Sequence, residues 1–251
     1  MLISQRVVQK CCGIIIGLFL GCTVLSVRAD NRLPSITAES WLVADEKGTV
    51  IDSVNIDQQR SIASITKLLT VMVVLDANQN LKQKIKPHTR QQLIDLALVR
   101  SSNIASKKLC QNYPGGTSSC VRAMNNKAAE LGMHHSKFVD PTGLGAGNVS
   151  TAWDLIRLVQ AAQTYPKIVA ASKTSSMKFK HKKKWRTYNN TNPIIAKGYN
   201  FYVSKTGWIT ASGGCIVMML DTALGKRIVI LLGSKNTRTR ISEAELIANR
   251  Y

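Results

Sequence analysis

Residues 64–75 read Ser64-Ile65-Thr66-Lys67-Leu68-Leu69-Thr70-Val71-Met72-Val73-Val74-Leu75, a segment that is apolar on nearly every helical face. A helix with this pattern is buried in a protein core. Ser64 and Lys67 are one helical turn apart, so their side chains lie on the same face. An amine in this place can take the proton from a serine hydroxyl, which activates the serine as a nucleophile. The segment therefore predicts a buried helix with a reactive serine at its first turn.

Two further motifs follow in chain order, Ser101-Ser102-Asn103 and Lys205-Thr206-Gly207. The first supplies a hydroxyl and a carboxamide, and the second is a basic, glycine-bearing strand end that can receive a carboxylate. A Ser-x-x-Lys motif is a weak signal without its context, and the decoy Ser175-Ser176-Met177-Lys178 has the same spacing in a polar, basic stretch. Only the set that begins at Ser64 has a buried helix first and a strand last. This ordered set predicts acyl transfer.

The three motifs resemble those of the penicillin-binding protein and serine β-lactamase superfamily. The rest of the chain, from about residue 36 to the end, is similar to the low-molecular-mass D-alanyl-D-alanine peptidases of the S11 type. Within that family it most resembles the endopeptidase branch, the penicillin-binding protein 7 type. The segments that carry the similarity are 62–68, 113–116, 131–133, 138–144 and 148–152.

The hydrophobic pattern predicts an α/β fold. Strands are predicted at 41–44, 50–54, 199–205, 215–221 and 228–232. Helices are predicted at 64–77, 89–99, 103–111, 119–131, 151–162 and 242–248. We therefore expect a five-stranded antiparallel sheet from both chain ends, flanked by helices, plus an all-helical lobe, with the ligand site in the crevice between them. This is the β-lactamase/transpeptidase-like fold that the resemblance implies.

The resemblance also implies a role for each motif residue. Ser64 is the expected nucleophile, Lys67 its base, and Ser101 the group that relays a proton to the leaving amine, while Asn103 holds the substrate amide and Lys67. The remaining expected roles are carboxylate binding by Lys205 and Thr206, close approach of the strand at Gly207, and an oxyanion hole from the backbone N–H groups of Ser64 and Trp208. Burial and a second cation, Lys205, are expected to lower the pKa of Lys67 from about 10.4 toward about 7 to 8.

These roles imply a serine peptidase that acts on D-alanyl-D-alanine ends of peptidoglycan stem peptides through an acyl-enzyme, with β-lactam antibiotics as covalent inhibitors. The resemblance favours an endopeptidase that cuts cross-links. A carboxypeptidase acting on free pentapeptide stems remains open, as does a β-lactam-sensing or wall-binding module of the same fold. A class A β-lactamase is disfavoured because no glutamate lies between Asp140 and Asp154, and the absence of a Gly-x-Ser-x-Gly elbow disfavours a Ser-His-Asp hydrolase.

The N-terminus has the pattern of an export signal. Arg6 and Lys10 precede an apolar run, and Val27-Arg28-Ala29 forms a cleavage pattern. We predict a signal peptide at 1–29, a single peptidase domain at 30–251 and a periplasmic location. Lipid attachment at Cys22 is a less favoured alternative.

The predicted mature chain is strongly basic. Removal of residues 1–29 takes away three basic and no acidic residues, which leaves 31 basic and 14 acidic residues and a formal charge of +17. Such a charge attracts polyanions, here peptidoglycan carboxylates or anionic envelope polymers, although the basic cluster could also be only a solvated loop. Nucleic acid is not expected as a partner, because the chain is exported and the cluster includes few aromatics. The cluster comprises Lys178, Lys180, Lys182, Lys183, Lys184 and Arg186.

Three cysteines remain after the signal. Cys110 and Cys120 bracket a turn-rich loop, and an oxidising compartment would permit a disulfide between them. Cys215 lies in an apolar run and is expected to be a buried free thiol. The four histidines show no metal-ligand spacing, so no metal or cofactor is predicted.

Overall fold

The computed structural model describes residues 36–181 and 184–251, so the predicted signal peptide and Cys22 lie outside the described residues. The strands are β1 (Ser40–Asp45), β2 (Val50–Val54), β3 (Arg60–Ser61), β4 (Lys84–Ile85), β5 (His88–Thr89), β6 (Val149–Ser150), β7 (Ser176–His181), β8 (Lys184–Asn189), β9 (Phe201–Ile209), β10 (Gly213–Thr222) and β11 (Gly225–Ser234). The α-helices are α1 (Thr66–Asp76), α2 (Arg90–Leu98), α3 (Asn103–Gln111), α4 (Gly116–Glu130), α5 (Ala152–Ala162), α6 (Pro166–Lys173) and α7 (Thr239–Arg250).

Both ends of the described chain form one five-stranded antiparallel sheet in the order β2-β1-β11-β10-β9. Trp41 on β1 pairs with Leu231 on β11, and Val217 on β10 pairs with Lys205 on β9. Helix α5 packs on one face of the central strands and α7 contacts β10 and β11. Because both faces are covered, β10 and β11 are continuous apolar runs rather than alternating ones. The predicted sheet and α/β fold are confirmed.

Helix α1 lies at the centre of the helical part and contacts α2, α3, α4 and α5. Every residue from Thr66 to Val74 is buried, as the uninterrupted apolar pattern predicts. A disulfide between Cys110 and Cys120 joins the end of α3 to α4. Within the described ranges, no helix combines the length and apolar character that crossing a bilayer requires.

The structure differs from the sequence predictions in three places. Ser64 precedes α1, because residues Ala63–Ile65 form a separate 3-10 turn and Ala63 has a φ of 45°. Four residues of the basic cluster, for which a solvated loop was one interpretation, lie on the strands β7 and β8, where Met177 and Phe179 alternate with lysines and pack against the core. These four are Lys178, Lys180, Lys184 and Arg186, while Lys182 and Lys183 lie outside the described residues. Helix α6 was not predicted, although Pro166 at its first turn is a known helix-start signal.

Candidate active site

Lys67 lies at the centre of the site, buried at the first turn of α1. Its Nζ is 2.6 Å from Ser64 Oγ, 2.8 Å from Asn103 Oδ1 and 2.5 Å from the carbonyl oxygen of Thr142. A neutral amine has two N–H bonds and one lone pair. The two carbonyl-type oxygens occupy the N–H bonds, so the lone pair faces the Ser64 hydroxyl, which then donates to it. This geometry suits Lys67 to remove the serine proton.

Burial lowers the pKa of Lys67 to about 7, against a smaller opposing effect from the negative charge of Asp140. The expected direction is therefore correct, but the cause is mainly burial. Burial, together with Lys67 and Arg240, also lowers the pKa of Lys205 well below its ordinary value. A base with a pKa near neutrality is effective in both taking and returning a proton.

The loop of residues 138–148, called here the Asp140 loop, presents the Thr142 carbonyl to Lys67. Asp140 accepts hydrogen bonds from the Thr142 N–H and hydroxyl at 2.6 Å each, and from the Gly143 N–H at 2.9 Å. It also accepts from Gly145 N–H and the Asn148 amide. Burial alone would raise the pKa of Asp140, but these hydrogen bonds outweigh it and lower the pKa. The carboxylate thus organises the loop.

A second hydroxyl–amine pair lies across the groove, where Lys205 Nζ donates to Ser101 Oγ at 2.9 Å. Ser101 has a φ of 58°, a left-handed conformation that non-glycine residues rarely adopt. Such strain is common at functional positions. The next residue, Ser102, caps α3 by accepting from the Ala105 N–H. The cap fixes the start of α3, and with it the Asn103 amide that contacts Lys67.

Strand β9 carries the third motif along the opposite wall of the groove. Gly207 lies so close to the Ser64 turn that a Cβ atom would come within 2.9 Å of Ile62 O and Ser64 N. A glycine is required for this approach. Thr206 Oγ1 donates to Thr191 Oγ1 at 2.6 Å. Trp208 is half-exposed, and the oxyanion role of its N–H group stays a prediction.

Arg240 on α7 supports this strand from behind. Its Nη1 donates to the Gly207 carbonyl oxygen at 2.6 Å, and the side chain is buried. Burial lowers its pKa to about 10, so the guanidinium remains charged at neutral pH. This charge gives the Lys205 end of the groove a positive potential, which favours a substrate carboxylate.

Four residues that contribute to the site lie outside the three sequence motifs: Asp140, Thr142, Thr191 and Arg240. Asp140-Pro141-Thr142-Gly143 is a turn signal and could have marked the loop. Nothing local marks Arg240, because its role arises only when α7 packs behind β9. Cys110 lies at the C-terminal end of α3 and is bonded to Cys120 on α4, and Cys215 is a buried thiol whose pKa is raised by burial. The structure therefore places these cysteines outside the chemistry.

The geometry fits acyl transfer. A serine with its own base faces a cationic pocket across a groove, and Ser101 lies between them. A peptide whose terminal carboxylate pairs with Lys205 and Thr206 would present the preceding carbonyl to Ser64.

Comparison with known proteins gives the same result. The family model described as D-alanyl-D-alanine carboxypeptidase, peptidase S11, matches residues 26–89 and 85–236. The chain is 36% identical over 233 residues to a D-alanyl-D-alanine endopeptidase of Pseudomonas aeruginosa PAO1, covering 83% of this chain and 75% of that protein. It is also 36% identical over 209 residues to the D-alanyl-D-alanine endopeptidase of Escherichia coli K12, covering 74% of this chain and 67% of that protein.

The fold is shared with a solved structure of the Streptomyces K15 DD-transpeptidase. The TM-score is 0.78 at 24% identity, covering 87% of this chain and 98% of that one. With the motifs, the groove geometry and the family match in agreement, the chain belongs to peptidase family S11, the D-alanyl-D-alanine peptidases.

Proposed function

We propose that this protein is a serine DD-peptidase that cuts D-alanyl bonds in peptidoglycan cross-links through an acyl-enzyme. The observation that carries the proposal is the 2.6 Å contact between Ser64 Oγ and Lys67 Nζ, with Nζ fixed by two further acceptors. The two similar proteins named as endopeptidases support cross-links as the substrate.

The reaction follows from the positions of the groups. Neutral Lys67 takes the Ser64 proton as Oγ attacks the D-alanyl carbonyl, and the C–N bond then breaks. Ser101 passes its proton to the departing amine and regains one from protonated Lys67, which becomes neutral again, while Lys205 holds the carboxylate of the leaving residue. Neutral Lys67 then takes a proton from a water molecule as that water attacks the ester, and it returns the proton to Ser64 Oγ as the acyl–oxygen bond breaks.

A bound substrate carboxylate favours a charged Lys205 and a neutral Lys67. Binding of an anion beside Lys205 favours its charged form. The resulting ammonium disfavours a second charge on Lys67, so the bound state keeps Lys67 as a neutral base. Substrate binding thereby prepares the base for the attack.

The Asp140 loop argues against rapid β-lactamase action. A β-lactamase of this fold activates a deacylating water with a carboxylate in this region. Here both oxygens of Asp140 accept hydrogen bonds within the loop, so that carboxylate is not free to take a proton. A long-lived penicilloyl ester is the expected product of penicillin binding.

Fluorescent penicillin tests the proposal. The purified protein should acquire a covalent label, and Ser64→Ala should not; a label that survives Ser64→Ala would contradict the assignment. Cross-linked muropeptide dimers and monomeric pentapeptides, resolved by chromatography after digestion, then separate endopeptidase from carboxypeptidase action. Cleavage of the pentapeptide alone would make the protein a carboxypeptidase, and labelling without any cleavage would make it a sensing module.

We further propose that the protein is exported to the periplasm and that its positive charge attracts anionic envelope polymers. The leader pattern and the disulfide support export. The exposed lysines Lys180 and Lys184 support attraction of anionic polymers. Binding to isolated cell walls should weaken steeply between about 50 and 200 mM salt. Salt-independent binding would contradict an electrostatic role.

A further inference from the structure

An open cavity of about 420 Å³ adjoins the active-site groove and contains two arginines. Arg100, Arg186, Thr187, Tyr188 and Asn189 line it. Both arginine side chains are exposed, and no ion pair or side-chain hydrogen bond joins either guanidinium to another residue in ranges 36–181 and 184–251. Two guanidinium groups at one cavity, without a carboxylate partner from the chain, favour an anionic ligand.

The cavity lies on the leaving-group side of the groove. Arg100 directly precedes Ser101, which contacts Lys205. From Asn189 the chain runs to Thr191, whose N–H donates to Val99 O at 3.2 Å and whose hydroxyl contacts Thr206. Ser101, Lys205 and Thr206 are the groups that receive the leaving amine and its carboxylate. A leaving group longer than one residue would therefore extend toward the two arginines.

The pairing of the hairpin β7–β8 places Arg186 and Lys178 on opposite faces of the hairpin. Arg186 pairs with Phe179, and Tyr188 pairs with Met177. Phe179 and Met177 pack against the core, so this face of the hairpin is turned toward the protein body. Lys178 is exposed at the intervening position, and successive side chains of a strand point to opposite faces. Arg186 therefore lies on the face of the hairpin that is turned toward the protein body, and Lys178 lies on the opposite face.

Free pentapeptide stems and cross-linked stems differ in the leaving group that would occupy this side of the groove. The leaving group of a free pentapeptide stem is a single D-alanine, whose only carboxylate pairs with Lys205 and Thr206. The leaving group of a cross-link is an entire stem peptide, which carries further free carboxylates along its length. A guanidinium binds a carboxylate through two parallel hydrogen bonds, which gives both strength and direction.

We infer that Arg100 and Arg186 bind a second carboxylate on the leaving stem peptide, so that this cavity makes cross-linked stems better substrates than free ones. The inference rests on the proposed peptidase function and adds a specificity site to it. The arginines act on substrate selection and take no part in proton transfer.

The test compares kcat/KM for a cross-linked muropeptide dimer and a monomeric pentapeptide that shares the same acyl-donor stem. Arg186→Gln and Arg100→Gln should each lower the dimer-to-monomer ratio of kcat/KM about tenfold, mainly through KM for the dimer. Lys178→Gln removes the same charge from the opposite face of the hairpin and should leave the ratio unchanged. The inference would be overturned if the arginine variants lost kcat/KM equally on both substrates, so that the ratio stayed the same. It would also be overturned if Lys178→Gln lowered the ratio as much as the arginine variants do.

Amidation of the substrate tests the ionic contact between the arginines and the second carboxylate directly. In a dimer whose leaving stem has its side carboxylates converted to amides, the parent protein should lose most of its preference, and Arg186→Gln should lose little more. Full retention of the preference with the amidated dimer would contradict carboxylate recognition. Labelling by fluorescent penicillin is measured in parallel: a parent protein that fails to label refutes the proposed function, whereas normal labelling with an unchanged ratio refutes only this inference.

Discussion

Lys67 is held where burial opposes its charge and three oxygens surround its nitrogen. Of these, Asn103 Oδ1 and the Thr142 carbonyl can only accept, and they orient the amine. The Ser64 hydroxyl can also donate, and it does so when Lys67 is neutral. Burial makes the neutral form accessible near pH 7, and the two fixed acceptors direct its lone pair at Ser64.

The first prediction concerns the pH dependence of acylation. Because neutral Lys67 is the base and its pKa is about 7, the acylation rate with a penicillin should rise about tenfold per pH unit below 7 and level off above it. Stopped-flow or quenched labelling between pH 5 and 9 measures this. Lys67→Ala should lose at least about 100-fold in rate and lose the acid limb. A rate independent of pH in the parent would remove Lys67 from the role of base.

The second prediction concerns Asp140, whose negative charge raises the pKa of Lys67. Asp140→Asn keeps the shape and removes the charge, so the pKa of Lys67 should fall and the acid limb of acylation should move to lower pH. Stability should decrease by about 1 to 3 kcal/mol, since a hydrogen-bond acceptor is lost in the loop. Asp154→Asn, at another buried acceptor, is the control and should leave the midpoint of the limb in place. A shift to higher pH would refute the electrostatic role.

The contact between the Asp140 loop and α1 holds the Thr142 carbonyl oxygen beside the amine of Lys67. Thr70 on α1 donates to Pro141 O at 2.9 Å, and Ile62 N–H donates to Asn148 O at 3.1 Å. The loop is thus joined to the helix and to the turn that carries Ser64. Gly143 lies at the tightest point of this contact, with a φ of 78°.

The third prediction is that Gly143→Ala abolishes the site and destabilises the protein. An added Cβ would lie 1.8 Å from the backbone oxygen of Ala63, so either the loop or the Ser64 turn must move. We expect a loss of about 3 kcal/mol or more and no penicillin labelling. Gly198→Ala is the control: Gly198 has a φ of 89°, and an added Cβ meets nothing within 4 Å, so only backbone strain of about 1 kcal/mol is expected. Similar urea midpoints for the two variants would contradict the steric argument.

The whole groove exists because the sheet and the helical part of the protein meet at β9. This edge strand contacts both the Ser64 turn and α6. The residue that permits the closest contact is Gly207, and Arg240 holds its carbonyl from the far side of the sheet. The width of the groove is therefore fixed by backbone contact rather than by flexible side chains.

The fourth prediction is that Gly207→Ala moves strand β9 away from the turn that carries Ser64 and so slows acylation. Its methyl group would meet Ile62 O and Ser64 N at 2.9 Å, so β9 must withdraw from the nucleophile. Loss of one oxyanion donor lowers rates by about 100- to 1000-fold, and we expect acylation to fall by at least the lower figure. Gly147→Ala, where the methyl meets only side-chain atoms of Val139, should label normally. A Gly207→Ala protein that labels at the parent rate would refute the close-contact argument.

Much of this arrangement could be predicted from local sequence. The apolar run after Ser64 specified a buried helix, and the runs at both chain ends specified the sheet, because each pattern has a single way to bury its apolar face. The hairpin β7–β8 was harder to predict, since its lysines mask the alternation of Met177 and Phe179. Its position depends on packing against the core, which local polarity does not reveal.

The sequence by itself determined the motif residues Ser64, Lys67, Ser101 and Lys205, together with the fold that joins them, because spacing and hydrophobic period act locally. Tertiary structure alone decided what surrounds those residues. The Thr142 carbonyl, the Arg240 guanidinium and the Arg100–Arg186 cavity come from segments far apart in the chain. Hydrogen-bond partners and burial depend on distances in space, and these distances set the pKa of Lys67 and the breadth of the substrate site.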